Sequence, residues 1–173
     1  MDAIATYFHL QGGNKAVSWM IQYILAFFVF VFSTLASWYE GSEIRSNPWE
    51  WKYSAFFSQM LHGSITNSSD ISQLDHFIYA AKFKPAFPLL MALSIIYIVM
   101  LTGYWLCRRN NKRFRLFYAG SLLFWILGAI VADSPTIGGH YFTMLFMAAG
   151  AGSAAMALLS VLRAKCWRGE ELK

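Results

Sequence analysis

Three histidines and one aspartate are the side chains of this sequence best suited to chemistry. His62, Asp75 and His76 lie in one segment, and His140 lies much later in the chain. Imidazole and carboxylate groups bind zinc or copper and act in general acid–base catalysis. Their spacing matches no compact metal-binding motif, and adjacent residues on a helix point apart. We therefore predict no metal site, no catalytic residue and no cofactor, and we favour a protein that is not an enzyme.

Four long apolar runs must position these side chains. The 173 residues are 57% hydrophobic and 13% charged, whereas a soluble domain is about 45–50% apolar and about 25% charged. A helix of about 20 apolar residues crosses the hydrocarbon core and satisfies its own backbone hydrogen bonds there. We expect an all-α integral membrane protein, a four-transmembrane-helix bundle that forms a single membrane domain over 1–173. The expected spans are about 16–38, 87–106, 116–132 and 141–162.

Lysine and arginine are distributed unevenly between the two expected sides. Ten of them lie before the first span, in the link at 107–115 or after the fourth span, whereas the loop at 39–86 has four. Basic loops are retained in the cytoplasm. We expect a multi-pass protein of the cell (plasma) membrane with a basic cytoplasmic loop at 107–115 and both termini in the cytoplasm. This asymmetry explains the net charge of +5 without a nucleic-acid partner.

The loop at 39–86, expected on the outer side, has the pattern of two amphipathic helices. Asn47 is a suitable N-cap and Pro48 suits the first helical position. Apolar residues then recur at helical spacing until Gly63, a typical helix stop. A second helix is expected to start at Ser69 or Asp70. Its predicted apolar stripe is Ile71, Leu74, Ile78 and Ala81.

The aromatic side chains of this loop suit the outer membrane interface, where Trp and Tyr rings are favoured. Large rings bury about 150–250 Å² each. Their surface could roof the helix bundle or anchor the loop in the interface, or it could bind a partner, and these two interpretations do not exclude each other. The predicted interaction residues of the loop are Trp49, Trp51, Tyr53, Phe56, Phe57, His62, Asp75 and His76.

Small residues predict helix packing in the fourth span. Ala148 with Gly152, and Gly150 with Ala154, have the four-residue spacing that lets helix backbones approach closely in lipid. The contact is expected within the bundle, in a homo-oligomer or with another membrane protein. The polar residues expected at the outer helix ends are Asp133 and His140.

Three functions follow as hypotheses from these patterns. The leading one is a non-enzymatic accessory or interaction subunit of a membrane complex, in contact with the lipid bilayer. The alternative is an oligomeric small-solute transporter or channel, which needs polar groups facing one lumen. The candidates for such groups are Gln22, Ser33, Thr102 and Ser153. The third is an outer-face membrane enzyme that uses the histidines and Asp75.

Overall fold

The computed structural model describes the backbone of residues 2–107 and 113–170, and side chains within 17–105 and 115–162. The described residues are almost entirely helical and contain no strand. Seven α-helices and three 3-10 turns follow one another in the described part. The helices are α1 (Asp2–Gly41), α2 (Trp51–Ser54), α3 (Phe56–His62), α4 (Gln73–Phe83), α5 (Ala86–Cys107), α6 (Arg113–Ala132) and α7 (Ile137–Glu170). The 3-10 turns are Ser42–Ser46, Pro48–Glu50 and Ser68–Asp70.

Four of these helices are long and apolar enough to span a membrane, which confirms the predicted number. The apolar stretches are Val17–Ser46, Ala86–Trp105, Arg115–Ala132 and Ile137–Leu162. The helices extend beyond the predicted spans, most clearly α1. An apolar run indicates which part of a helix lipid can cover, but it does not determine where the helix ends. Polar and charged residues such as those before Val17 are compatible with a helix.

Most basic residues used to predict orientation lie outside the residues whose side chains the structure describes. The same holds for both cysteines. The basic residues concerned are Lys15, Arg108, Arg109, Lys112, Arg113, Arg163, Lys165, Arg168 and Lys173, and the cysteines are Cys107 and Cys166.

Helices α1 and α5 pack against each other as an antiparallel pair. Near one end Trp19 stacks on Tyr104, with ring centroids 5.8 Å apart, and near the other Phe32 meets the ring of Phe87 at 6.0 Å. On α1 the buried residues at four-residue spacing are Ser33, Ser37 and Gly41. This stripe of small residues is the same kind of signal that predicted packing in α7, but it was not recognised in the sequence.

Helices α6 and α7 form the second pair. Gly150 is buried under the ring of Trp125, and Ser153 and Ala157 continue the contact face of α7. Gly152 points away from this face and has nothing within 4 Å of an added Cβ. The predicted packing residues therefore lie on different sides of α7: Gly150 is in the contact, Ala154 is half-buried, and Ala148 and Gly152 are exposed.

Residues 42–85, which we call the α1–α5 connection, pack at one end of these pairs. Helix α4 contacts α1, α5 and α7. The apolar core of the connection consists of Ile44, Ala55, Ile71 and Tyr79, with Trp51 and Ile65 packed against it.

The first helix predicted in the connection is divided into short pieces. The 3-10 turn that starts at Pro48 leads into α2, and the helical conformation is interrupted at Ala55. Helix α3 ends at His62, and the predicted stop residue Gly63 is its C-cap, with φ of 73°. The Gln59 amide donates to the carbonyl of Trp51 (2.6 Å) and to that of Lys52 (3.1 Å), at the end of the first piece. The break occurs because side chains satisfy backbone groups that a continuous helix would pair internally.

The second predicted helix starts later and is rotated. Ser72 is its N-cap and accepts the backbone N–H of Leu74 (3.3 Å). Residues Ser68–Asp70 form a separate 3-10 turn. Leu74, predicted in the apolar stripe, is 53% exposed, whereas Asp75 and His76 are buried. The face of α4 that packs inward is therefore partly polar.

Candidate functional site

Asp75 is the centre of a buried hydrogen-bond network that joins α4 to α3. Its carboxylate oxygens accept the backbone N–H groups of Phe57 (2.8 Å) and Ser58 (2.9 Å). The Ser58 hydroxyl donates to the same carboxylate, and its oxygen accepts the backbone N–H of Ser72 (2.6 Å). Phe57 and Ser58 lie in the first turn of α3, where N–H groups lack helical partners and negative charge is favoured. Asp75 therefore acts as a helix cap supplied from another helix.

Lys82 makes a second contact between α4 and the first part of the connection. Its ammonium group donates to the carbonyl of Tyr53 and, at 3.4 Å, to the hydroxyl of Ser54. Burial lowers the pKa of Lys82, while the Glu50 carboxylate opposes this effect. The ammonium group of Lys82 thus holds α4 against the last two residues of α2.

His76 is buried between α4 and α1, with 1% of its surface exposed. Its ring lies 5.9 Å from the ring of Trp38, whose indole N–H donates to Gln73 (2.6 Å). Neither ring nitrogen makes a hydrogen bond of normal geometry in the described part of the chain, although a backbone acceptor of Trp38 lies close enough to affect the pKa of the ring. Burial, and then the charge of Arg45, lower the pKa of His76, and Asp75 and the Trp38 backbone act in the opposite direction. The imidazole is therefore neutral at neutral pH.

Glycines set the close approach of α4 to the helices on either side. A Cβ at Gly41 would overlap the carbonyl oxygen of His76 and lie 2.8 Å from its Cα. A Cβ at Gly138, in the first turn of α7, would overlap the carbonyl oxygen of Ala81. The backbone of α4 thus touches α1 near one end and α7 near the other, and only glycine fits at either contact.

The predicted aromatic residues of the connection divide into an exposed set and an inward set. Trp51 donates its indole N–H to the carbonyl of Ile44 (2.8 Å), and Phe57 is half-buried. The exposed aromatic residues are joined by two exposed aliphatic ones, and we call the five together the aromatic face: Trp49, Tyr53, Phe56, Met60 and Leu61, each between 58% and 72% exposed. Five large apolar side chains on two short helices and the preceding turn form a surface suited to lipid or protein contact.

The remaining predicted polar residues do not join Asp75 and His76. His62, Asp133 and His140 are exposed, and His140 borders an open depression on α7. Within residues 17–105 and 115–162, no three His, Cys, Asp or Glu side chains are placed to hold a metal ion.

The polar residues considered as pore-lining groups lie at helix contacts. The Tyr97 hydroxyl donates to Gln22 (3.0 Å), and Thr102 hydrogen-bonds Tyr23 (2.9 Å), so both join α1 to α5. Ser33 donates to a carbonyl of its own helix and Ser153 is buried on α7. Next to the hydrogen bond between Gln22 and Tyr97, an apolar groove of about 330 Å³ runs between α1 and α5.

Sequence reasoning missed Ser58 and Gly41. Ser58 was overlooked because a lone serine on an amphipathic helix carries no signal until its acceptor is known. Gly41 was overlooked as a contact residue, although its spacing from Ser37 and Ser33 could have identified it.

Replacing Trp51 with phenylalanine is expected to cost about 1 kcal/mol of stability. The ring stays in the core, but the hydrogen bond to the Ile44 carbonyl is lost. Thermal unfolding of the purified protein in detergent measures the effect. Trp49→Phe is the matched control, because Trp49 is 72% exposed and should leave the unfolding temperature unchanged. Equal shifts for the two variants would contradict the assigned role of Trp51.

Comparison with known proteins identifies relatives of the first helical pair. A family model described as a domain of unknown function, DUF4306, matches residues 20–107. The chain is also 37% identical over 87 residues to the uncharacterized protein YjdJ of Bacillus subtilis strain 168, a match that covers 49% of this chain and 80% of that protein. No solved structure matches the chain. The family match includes the Asp75 network, His76, Gly41 and the aromatic face, and it ends where α5 ends.

Proposed function

We propose that this chain, which belongs to the DUF4306 family, is a membrane protein that serves as a non-enzymatic accessory or interaction subunit of a membrane complex. The observation that carries the proposal is the aromatic face, exposed on a connection whose buried polar groups are used by the fold itself. Exposed apolar surface of this kind is typical of sites that bind protein or membrane. Its supporting network fixes the backbone beneath it.

Membrane insertion is supported by the surfaces of the four long helices. Only 11–22% of the residues in their most apolar windows are buried within the chain, although the mean hydropathy there is 1.7–2.1. Exposing apolar surface to water costs about 25 cal/mol per Å², whereas lipid removes that cost. Helices α1, α5, α6 and α7 would therefore cross the bilayer and make one polytopic domain over 1–173.

The orientation is proposed from the distribution of basic residues. The α6 link and the C-terminal tail would lie in the cytoplasm with both termini, and the α1–α5 connection would lie on the outer side of the plasma membrane. The aromatic face would then meet the outer membrane interface, a second copy of the chain or another membrane protein.

Cysteine labelling in intact cells tests this orientation. The native cysteines, Cys107 and Cys166, are expected to resist a membrane-impermeant maleimide until the cells are permeabilised. A Ser64→Cys variant is expected to react at once, because Ser64 is exposed in the connection. Labelling of the native cysteines in intact cells would show that the proposed orientation is wrong and that these cysteines lie outside.

Photo-crosslinking from the aromatic face tests the interaction role. A photoreactive phenylalanine analogue at Phe56 is expected to yield one discrete protein adduct in cells, because Phe56 is 58% exposed there. The same analogue at Ile130, which is 71% exposed on α6, is the control and is expected to yield lipid adducts. Replacing Trp49 and Met60 together with serine should remove the Phe56 adduct without lowering thermal stability. Lipid adducts alone at Phe56 would reject the subunit role and leave the face as a membrane anchor.

A further inference from the structure

We propose that the contact between α4 and α1 is a proton sensor, in which binding of one proton by His76 separates α4 from α1. The proposal concerns the α4–α1 contact alone. It therefore stands whether or not the aromatic face binds a partner.

The geometry leaves a protonated His76 with too little compensation, because the Trp38 backbone and Asp75 favour the charged ring less than burial and Arg45 disfavour it. The imidazole is 1% exposed, and neither ring nitrogen makes a hydrogen bond of normal geometry among the described residues. An imidazolium ion needs two acceptors for its two N–H groups. Burying a charge without partners is strongly unfavourable, so the charged form favours any state in which the ring reaches water.

Charged groups around His76 do not make the buried, protonated ring favourable. Arg45, on the turn after α1, repels the imidazolium, whereas Asp75, on α4, attracts it. Both oxygens of Asp75 already accept hydrogen bonds from α3. Glu40, next to Gly41 on α1, has one buried carboxylate oxygen without a hydrogen-bond partner among the described residues. The pKa of Lys84 is raised by its hydrogen bond with Glu43 and, to a smaller extent, by the charge of Glu40. Helix α5, which also contacts α4, has no charged side chain between Ala86 and Cys107.

The direction of the pH effect follows from the lowered pKa. In the docked state His76 releases its proton more readily than an exposed histidine, whose pKa is about 6.5. The α4–α1 contact is therefore most stable above pH 6.5. It weakens as the pH falls from 6.5 towards the pKa that His76 has while α4 is packed against α1. Because one proton is involved, the docking equilibrium changes by at most about tenfold per pH unit in that range.

Separation of α4 from α1 at His76 would also affect the contacts of α4 with α7 and α3. The carbonyl of His76 rests on Gly41, and the carbonyl of Ala81, five residues later on α4, rests on Gly138 of α7. Helix α4 also holds the start of α3 through Asp75. Movement of α4 would therefore change both the support of the aromatic face and the contact with α7.

Hydrogen exchange of the full chain in nanodiscs tests the sensor. Exchange rates of the amides in Gln73–Phe83, corrected for the intrinsic effect of pH, report the opening of α4. We expect opening to increase several-fold, and by no more than about tenfold, between pH 6.5 and 5.5, and to be constant between pH 8.5 and 7.5. Amides in α6 should show no corrected change. Constant protection of α4 from pH 8.5 to 5.5 would overturn the proposal.

Three variants separate His76 from other titrating groups. His76→Phe should keep α4 protected at pH 7.5 and abolish the increase at pH 5.5, and an increase that persisted would overturn the proposal. His62→Gln, which removes an exposed histidine from the same connection, should behave as the wild type. Arg45→Gln provides a test should the phenylalanine variant not fold. Removing the Arg45 charge brings the docked pKa of His76 closer to 6.5, so opening at pH 5.5 should be smaller than in the wild type; unchanged or larger opening would count against the sensor.

Discussion

Replacing Asp75 with alanine is expected to destabilise the α1–α5 connection by about 2–6 kcal/mol. The substitution removes the acceptor of two backbone N–H groups in the first turn of α3, and each unpaired group costs about 1–3 kcal/mol. It also frees the Ser58 hydroxyl, which organises the start of α4 through Ser72. Thermal unfolding in detergent measures the total loss, and hydrogen exchange in Phe56–His62 shows whether it begins at α3.

Asp70→Ala is the matched control for this experiment. Asp70 also accepts backbone N–H groups, those of Asn67 (3.1 Å) and Thr66 (3.3 Å), but it does so in an exposed turn. Water can replace its carboxylate there, so the loss of stability is expected to be clearly smaller than for Asp75→Ala. Asp75→Asn should be intermediate, because the amide keeps one acceptor oxygen but turns an N–H₂ group towards N–H donors. Equal losses for Asp75→Ala and Asp70→Ala would show that the buried network adds nothing.

The long helices could be predicted from the sequence because a single property determines them. An uninterrupted apolar run has few folded solutions other than a helix that lipid or protein covers. All four runs became helices for this reason. The extension of α1 to Gly41 was not predicted, because the residues after Trp38 lack apolar character but have no strong helix-breaking signal before Gly41.

The interior of the connection could not be predicted, because its contacts join residues that are distant in sequence. Asp75 binds N–H groups 17 and 18 residues away, on the α3 side of the break at Ala55, and the Gln59 amide binds carbonyls on the α2 side. The pairing of Asp75 turns α4, so that Leu74 faces outward although periodicity placed it inside. Hydrophobic periodicity describes which face of an isolated helix is apolar, whereas a buried carboxylate with fixed donors can determine the orientation instead.

The residues of the candidate site were named from the sequence, but their contacts were not predicted. Trp49, Tyr53 and Phe56 are exposed, while Trp51 turns inward to the carbonyl of Ile44. Asp75 and His76 were noted for their chemistry, yet they serve helix capping and the α4–α1 contact. Adjacent residues take these separate roles because successive side chains on a helix point in different directions.

Alanine at Gly41 and at Gly138 is expected to destabilise the protein, although alanine is the better helix former. At Gly41 the new methyl group overlaps the His76 carbonyl, and at Gly138 it overlaps the Ala81 carbonyl and lies 2.9 Å from the carbonyl oxygen of Lys82. Backbone atoms cannot move aside as a flexible side chain can, so α4 must shift from α1 or α7. Overpacking of this kind costs about 1–3 kcal/mol. Thermal unfolding in detergent and hydrogen exchange of α4 measure the two effects.

Gly120→Ala and Gly152→Ala are controls in which the same substitution should have the opposite sign. Neither glycine has an atom within 4 Å of an added Cβ, so the gain in helix propensity of about 0.5–1 kcal/mol is unopposed. The same glycine-to-alanine substitution is made in all four variants, and only the atoms around the substituted glycine differ. Gly41→Ala should also raise α4 exchange at pH 7.5, where His76 is neutral, because steric displacement needs no proton. If Gly41→Ala stabilised the protein as Gly152→Ala does, α4 would not rest on α1 at this point, and the proposed action of His76 would lose its structural basis.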